Sequence, residues 1–281
     1  MFKAQIKTFL LLAVLTALLL GIGSIWGNYG LVIAGIFVLL MNFCSYFWSD
    51  KIVLFMYKAK PAPKSEYSWL HKVTEELAKK AGIPKPKIFI IPSEISNAFA
   101  TGRNPKHATV AVTSGILKNL DREELKGVLS HELSHVKNRD ILIMTVAATI
   151  AGVISYVASM ARFAAIFGGM RNDNKGNNIV GLLLLMIVAP IAAMLVQLAI
   201  SRTREYAADE SGAKLMGDGK PLASALLKLE TMARQKPVRA NGHEATAHMF
   251  IVNPFRGGFI SLFSTHPSVQ LRVEKLRNLK F

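Results

Sequence analysis

Two histidines and a glutamate in the segment "VLSHELSHVKNRD" have the types and spacing of a catalytic metal site. His131 and His135 are four residues apart, so on an α-helix they share one face and can direct their imidazoles at one ion. Glu132 is rotated by about 100° from His131, where a carboxylate can take a proton from metal-bound water without replacing it. A chance match on a solvated helix is the alternative, so a zinc site requires a third ligand.

The third ligand must be a histidine or a carboxylate, because the chain has a single cysteine, Cys44, and no thiolate zinc site is possible. The segment "SRTREYAADESGAKLMG" offers Glu205 and Asp209, four residues apart on a predicted helix. Glu205 is a candidate ligand, and Asp209 could accept the free N–H of a ligand histidine. Taken alone, this segment is described better by an exposed polar helix.

Four uncharged apolar segments of 18 to 22 residues flank these clusters, and each has the length of a membrane-spanning helix. They are residues 8–26, 31–48, 141–160 and 179–200. Buried core helices are the alternative, but these are usually shorter and have a polar face. The first segment is interpreted as a retained signal anchor, because it is too long for a typical signal peptide and lacks a clear cleavage site.

The distribution of positive charge predicts the membrane topology. Lys and Arg number 2 before the first apolar segment, 16 in residues 49–140, 3 in residues 161–178 and 13 in residues 201–281. This asymmetry follows the positive-inside rule and predicts that both termini and the large middle segment are cytoplasmic. The net charge of +16 is therefore attributed to a surface beside anionic lipid and not to nucleic-acid binding.

The topology links the two polar clusters. The metal helix is expected to run directly towards residues 141–160, and Glu205 follows residues 179–200 by five positions. If both of these segments cross, His135 and Glu205 lie on the same side of the membrane at similar depth. The metal hypothesis and the two-crossing hypothesis therefore support each other, although a partly buried hairpin stays open.

The polar segments predict a small α/β domain that is split by the second apolar pair and completed by a helical segment after Ser201. A helix over residues 65–83 has Leu70, Val73 and Leu77 on one face and Gly82 as its stop. Asp121 and Glu124 form a capping-box pattern at the start of the metal helix. The other predicted elements are a linker over residues 58–67, strands over residues 87–93 and 108–117, and a tight connection over residues 96–102.

Four motifs in order, "NAFATG", "HELSH", "REYAAD" and "THPS", resemble those of the HtpX-type membrane metalloproteases. These enzymes belong with the CAAX prenyl endopeptidases to one gluzincin family, and the likeness extends over nearly the whole chain. It implies a multi-pass α-helical membrane protein with a split α+β, zincin-like cytoplasmic protease domain. The implied organisation is a transmembrane hairpin (1–50), a protease segment with the zinc helix (51–140), another transmembrane hairpin (141–200) and a C-terminal protease segment (201–281).

The resemblance implies a role for each residue of the two clusters. His131, His135 and Glu205 would bind one Zn²⁺ per chain. Glu132 would be the general base and proton shuttle, and Asp209 the acid that holds a ligand histidine.

Further residues match the family outside these clusters. His266 matches a histidine that donates to the developing oxyanion. Arg272 would join the C-terminal helix to the helix of Asp209, although an ordinary surface arginine explains it equally well. Asn97, Ala98 and Phe99 match a segment that pairs with an extended substrate through backbone hydrogen bonds, and a plain turn would look similar.

The expected function is that of a zinc endopeptidase of the cytoplasmic (inner) membrane, with its active site and both termini facing the cytoplasm. Its expected partners are damaged, unfolded or misassembled membrane proteins, cleaved in quality control and stress response, and the lipid bilayer. One alternative is a prenyl-protein endopeptidase, although such enzymes have more spans around a large chamber. The other is a non-enzymatic zinc-binding membrane scaffold, whose structural site would require four protein ligands.

Overall fold

The computed structural model describes residues 27–144, 146, 202–235, 249–252 and 267–280, and six residues between Ala13 and Ser24. His266 and most of the predicted spans 8–26, 141–160 and 179–200 lie outside the described residues.

An apolar helix, α1 (Gly27–Phe47), precedes the polar part of the chain. Within it, Gly27–Cys44 has a mean hydropathy of 1.7 and is, among the described residues, the one helix long and apolar enough to cross a membrane. Its large side chains are exposed, as expected for a helix that lies in lipid: Tyr29 is 87% exposed. Residues 27–30, which lie between the first two predicted spans, already belong to α1, and among these four residues only Gly27 has a positive φ, of 69°.

A short helix, α2 (Ser49–Met56), connects α1 to the sheet and buries Val53 and Leu54. The segment that follows was expected to be a linker, but some of it forms strand β1 (Lys60–Pro61). Strand β1 pairs antiparallel with β2 (Lys87–Ile91), and the backbone ladder outweighs the unfavourable strand propensity of proline at an edge.

The sheet contains two further strands, β3 (Ala98–Gly102) and β4 (Ala108–Thr113), in the order β1-β2-β4-β3. Strand β4 is parallel to β2 and antiparallel to β3. The tight connection predicted over residues 96–102 is therefore wrong, because residues 98–102 form β3. This strand contains small residues with poor strand propensity, and its backbone pairing with β4 stabilises them in the extended conformation. The second predicted strand ends at Thr113, whose side chain accepts the Ile116 N–H at 3.2 Å and starts helix α4 (Ser114–Asn119).

Helix α3 (Ser68–Ala81) confirms the helix predicted over residues 65–83. Leu70, Val73 and Leu77 are buried in the main core, and Gly82 ends the helix in the left-handed conformation.

Helix α5 (Arg122–Asn138) starts with the predicted capping box. The Glu124 N–H donates to Asp121 Oδ1 at 2.9 Å, and the Asp121 N–H donates to Glu124 Oε2 at 3.0 Å. The helix ends at Arg139, which has a left-handed φ of 61°, and residues 141–144 are helical again. A left-handed residue therefore separates α5 from the helical residues 141–144, and the expected course of α5 towards the third apolar segment stays a prediction.

Three further helices, α6 (Arg202–Met216), α7 (Lys220–Gln235) and α8 (Val269–Arg277), complete the described structure. Helix α5 lies at the centre and packs against α3, α6, α7 and β3. Its apolar residues Val128, Leu129 and Leu133 belong to the main core, so the polar residues between them are held on a rigid element.

Candidate metal centre

Helices α5 and α6 bring the three candidate ligands together. The Nε2 atoms of His131 and His135 lie 3.2 Å apart. The Glu205 carboxylate lies beside both rings, with Oε2 3.7 Å from His131 Nε2 and Oε1 3.5 Å from His135 Nε2. All three side chains are buried, and their candidate ligand atoms lie within 4.8 Å of one another.

These separations fit a tetrahedral metal ion. Zinc bonds to nitrogen and oxygen of about 2.0–2.2 Å at tetrahedral angles place neighbouring ligand atoms about 3.3 Å apart. The observed distances of 3.2, 3.5 and 3.7 Å are close to that value. Two imidazoles and one carboxylate are also a donor set that zinc accepts, and three such ligands leave a fourth position open.

A glycine allows α6 to approach α5 at the first histidine. A Cβ atom on Gly212 would lie 2.9 Å from the His131 backbone nitrogen and 3.0 Å from the Ser130 carbonyl carbon. Any larger residue would therefore push the two helices apart. Because Glu205 and Gly212 are two turns apart on the same helix, this contact positions the carboxylate over the histidines.

A buried chain of charges lies behind His131. Its Nδ1 is 2.9 Å from Asp209 Oδ1. Arg272 donates to Asp209 through two parallel bonds, Nε to Oδ2 at 2.8 Å and Nη2 to Oδ1 at 2.7 Å, and Arg272 is fully buried. The sequence left open whether Arg272 was a surface residue; in the structure it joins α8 to α6 directly behind the first histidine.

A second carboxylate, which the sequence reasoning missed, lies behind His135. Asp140 Oδ2 is 3.3 Å from His135 Nδ1, and Asp140 Oδ1 is 3.6 Å from Arg204 Nε. Asp140 is the last charged residue before residues 141–160. An ionisable residue beside an apolar segment was the available signal, because such residues are seldom there without a partner.

The charges around the cluster change the affinities of its residues for protons. Burial lowers the pKa of His135, but the hydrogen bond with Asp140 and the negative charges of Glu205 and Glu132 outweigh burial and raise it to about 9. Burial acts to raise the pKa of Asp209, and the Arg272 guanidinium outweighs this effect and holds the pKa below its ordinary value. The electrostatic potential at the His135 imidazole is therefore negative, as a site for a cation requires.

Glu132 is oriented by the backbone of the neighbouring strand. Its Oε2 accepts the N–H of Ala100 in β3 at 2.8 Å. Burial raises the pKa of the Glu132 carboxyl above its ordinary value, and the positive charges of His131 and His135 oppose this rise. A raised pKa brings a carboxyl closer to the neutral range in which a general base is effective.

The predicted substrate-binding residues lie at the start of the edge strand. The Asn97 carbonyl accepts the Thr113 N–H at 3.0 Å, so the backbones of Asn97 and Phe99 point towards β4. Backbone groups alternate in an antiparallel strand, so those of Ala98 and Ala100 point to the other side, where Glu132 lies.

The Asn97 side chain has a bridging role that the sequence did not predict. It donates to the Met249 carbonyl at 3.2 Å and accepts the Ile251 N–H at 3.2 Å. The Ile251 carbonyl in turn accepts Arg272 Nη1 at 3.2 Å. Asn97 therefore connects the edge strand to the charges behind His131. His266, the predicted oxyanion donor, lies outside the described residues.

Comparison with protein families places most of this chain in one known group. Residues 64–280 match the family described as Peptidase family M48. The match includes every candidate residue, from Asn97 to Arg272.

Relatives with known names are similar over the whole length. A protein of Pyrococcus furiosus named "Protease HtpX homolog" is 54% identical over 276 residues, which are 98% of this chain and 95% of that protein. A protein of the same name from Persephonella marina is 56% identical over 275 residues, 96% of each chain. The crystal structure of S. mikatae Ste24p has a TM-score of 0.53 at 20% identity and covers 98% of this chain and 67% of its own, which shows a shared fold.

Proposed function

This chain belongs to peptidase family M48 and is a membrane-associated metalloprotease, and on that premise we propose that it is a zinc endopeptidase acting on membrane proteins. The observation that carries the proposal is the buried triangle of His131, His135 and Glu205, with Glu132 beside it. We propose these three residues as the ligands of one zinc ion. Bound there, zinc would lower the pKa of a water in the open position towards about 7 and polarise the scissile carbonyl.

Glu132 is proposed as the general base. Its carboxylate removes the proton from the attacking water and delivers that proton to the amide nitrogen that leaves. Two observations support this role: the Ala100 N–H holds Oε2 at 2.8 Å, and burial raises the pKa of the carboxyl. His266 is proposed as a donor to the developing oxyanion, by its match to the family motif.

The edge of β3 is proposed to bind the substrate as an added strand. Strand β3 has β4 on one side, and the backbone groups of Ala98 and Ala100 point to the other. An extended peptide paired there would run past Glu132, which brings its backbone to the reacting atoms. In this arrangement Ala98 supplies backbone hydrogen bonds, while Asn97 and Phe99 hold the strand against β4.

The proposed location is the cytoplasmic membrane, crossed by residues 8–26, 31–48, 141–160 and 179–200, with the active site on the cytoplasmic side. The division into hairpins 1–50 and 141–200 and protease segments 51–140 and 201–281 belongs to the same proposal. The exposed apolar surface of α1 and the positive charge of the polar segments support it. Exposed aromatic residues at the end of α1 also support it, because aromatic side chains collect at membrane interfaces. They are Phe43, Tyr46, Phe47 and Trp48.

Damaged or misassembled membrane proteins are the proposed substrates, and quality control is the proposed process. His135 lies shortly before residues 141–160, and Glu205 lies shortly after residues 179–200. A substrate segment that leaves the bilayer would therefore meet the site first. Two observations disfavour a non-enzymatic scaffold. The chain belongs to a peptidase family, and among the described residues three side chains form the cluster, whereas a structural zinc site requires four protein ligands.

The decisive experiment compares Glu132→Gln with the native chain in lipid vesicles. The variant keeps the size of the side chain and removes the base, so we expect normal zinc content and cleavage of a co-reconstituted unfolded membrane protein reduced by about 100- to 10,000-fold. Removal of zinc by a chelator should abolish native cleavage, and added zinc should restore it. The control is Glu210→Gln, which changes an exposed glutamate of α6.

Native cleavage by Glu132→Gln would contradict the proposed chemistry. Cleavage of soluble unfolded chains with no cleavage of membrane proteins would contradict the proposed substrate class and leave the chemistry intact.

A further inference from the structure

The two candidate histidine ligands have matching surroundings. Behind each ring an aspartate faces Nδ1, and behind each aspartate lies an arginine. The first chain is His131–Asp209–Arg272, with separations of 2.9 Å and then 2.7 and 2.8 Å. The second is His135–Asp140–Arg204, with separations of 3.3 Å and then 3.6 Å.

Asp140 faces away from water and towards the ring. Asp140 is 7% exposed, and its two carboxylate oxygens point to different partners, one to His135 and the other to Arg204. The Asp140 N–H also donates to the His135 carbonyl at 3.0 Å, which fixes the backbone beside the ring. The left-handed Arg139 creates this arrangement, because it folds the chain back over the last turn of α5.

We propose that Asp140 is a positioning residue for the metal centre, acting through His135. A carboxylate only accepts hydrogen bonds, so Asp140 holds a proton on Nδ1 of His135, and a bound ion would take the place of the proton on Nε2. That nitrogen is the atom that lies 3.2 Å from His131 Nε2. The inference rests on the proposed metal site and adds a residue to it.

Arg204 holds Asp140 in this position, and the pair connects two distant regions of the chain. Asp140 directly precedes residues 141–160, and Arg204 follows residues 179–200 by four positions. The pair therefore joins the two ends of the second apolar pair beside His135. Because its contact is a single 3.6 Å ion pair, where Arg272 makes two short hydrogen bonds, Arg204 has the weaker effect of the two arginines.

A merely structural role for Asp140 is the competing explanation. The Asp140 carboxylate also pairs with Arg204 of α6 at 3.6 Å, a contact that stabilises the fold whether or not a metal is bound. Loss of that contact would lower the stability of the fold and leave the affinity for zinc unchanged. The two roles are therefore separated by measuring zinc affinity and unfolding in the same variants.

The test uses the purified full chain in detergent and measures zinc affinity by competition with a chromophoric chelator. We expect Asp140→Ala to bind zinc about 10- to 100-fold more weakly, as for other residues that orient a ligand histidine. Asp140→Asn keeps an oxygen that can accept the Nδ1 proton, so its loss should be smaller. Arg204→Gln should also weaken binding, by less than Asp140→Ala.

A matched control is available on α5, the helix of His135. Glu124 is buried and paired, with Lys228 Nζ at 2.7 Å and Ser224 Oγ at 2.6 Å, but it lies two turns from His131. Glu124→Gln should reduce stability without changing the affinity for zinc. In the cobalt-substituted protein, the visible spectrum should change for Asp140→Ala and stay native for Glu124→Gln.

Native zinc affinity and a native cobalt spectrum in Asp140→Ala would overturn the inference, as would an equal loss of affinity in Glu124→Gln. If Asp140→Ala does not fold, the same comparison is made with Asp140→Leu, which fills the space of the side chain without an acceptor and for which native affinity and a native spectrum overturn the inference. A failure of the proposed function would appear differently: the His131→Ala variant would bind zinc with the same affinity as the native chain.

Discussion

At the scale of single residues, the centre depends on charges that are buried together. Arg272 has no exposed surface, and its guanidinium satisfies both oxygens of Asp209 and the Ile251 carbonyl. Two opposite charges in a dry interior hold each other ionised, which raises the pKa of Arg272 against the effect of burial. Removal of either partner leaves the other charge buried and unpaired.

We therefore expect Arg272→Met to lower the free energy of unfolding by about 3–5 kcal/mol, because Asp209 loses its counter-charge. Denaturant unfolding in detergent, followed by tryptophan fluorescence, measures this change. The control is Arg277→Met on the same helix, where the side chain is exposed and a change within about 0.5 kcal/mol is expected. Equal losses in the free energy of unfolding for the two substitutions would show that the buried pair stabilises the fold no more than an exposed arginine does.

At the scale of elements, the close packing of α5 and α6 sets the spacing of the ligands. His131 and His135 belong to one helix and Glu205 to the other, so the spacing of the two helices sets how close the candidate ligand Glu205 lies to the two histidines. Gly212 permits that distance at His131, and Gly127 permits an equally close approach of α5 to α7 at Leu222. The first contact lies beside the candidate metal ligand His131, and the second belongs to the core.

Gly212→Ala should weaken zinc binding even though alanine favours a helix by about 1 kcal/mol over glycine. The new methyl group would lie 2.9 Å from the His131 backbone nitrogen, so α6 must move away from α5 and carry Glu205 with it. Zinc affinity measured by chelator competition tests this expectation.

Gly127→Ala is the matched control, because its methyl group would lie 2.7 Å from the Leu222 backbone nitrogen. It should cost about 1–3 kcal/mol of stability by overpacking and leave zinc affinity near the native value. Native affinity in Gly212→Ala would mean that the two helices separate there without moving the ligands.

At the scale of the whole molecule, one site is assembled from two regions of the chain that an apolar stretch separates. Helix α5 ends at Asn138 and α6 begins at Arg202, and the residues between them include two segments of spanning length. Because His135 and Glu205 lie side by side, the chain between them must cross the bilayer an even number of times, and two spanning segments meet this condition. The proposed topology and the ligand set therefore depend on each other.

A topology reporter fused at Asn174, in the loop between residues 160 and 179, should report the side opposite to the cytoplasm. A second reporter fused after Phe281 should report the cytoplasm and serves as its control. The physical reason is the charge difference: the loop carries 3 Lys and Arg residues, and residues 201–281 carry 13. A cytoplasmic signal from Asn174 would contradict the two crossings and favour a re-entrant hairpin.

The sequence alone determined the features that depend on neighbouring residues. The histidine pair lies on one helix because residues four apart share a face, and Asp121 and Glu124 start that helix as their spacing predicts. The end at Gly82 and the apolar character of α1 are local in the same sense. Propensity, capping and length need no knowledge of the rest of the chain.

Only the tertiary structure decided the contacts between residues that are distant in sequence. Arg272 and Asp209 are 63 positions apart, and Ala100 and Glu132 are 32 positions apart. Strand β3 was not predicted because its alanines have little strand propensity, and its register with β4 comes from packing. Asp140 faces His135 because one left-handed residue turns the chain back, a conformation that residue type alone does not specify.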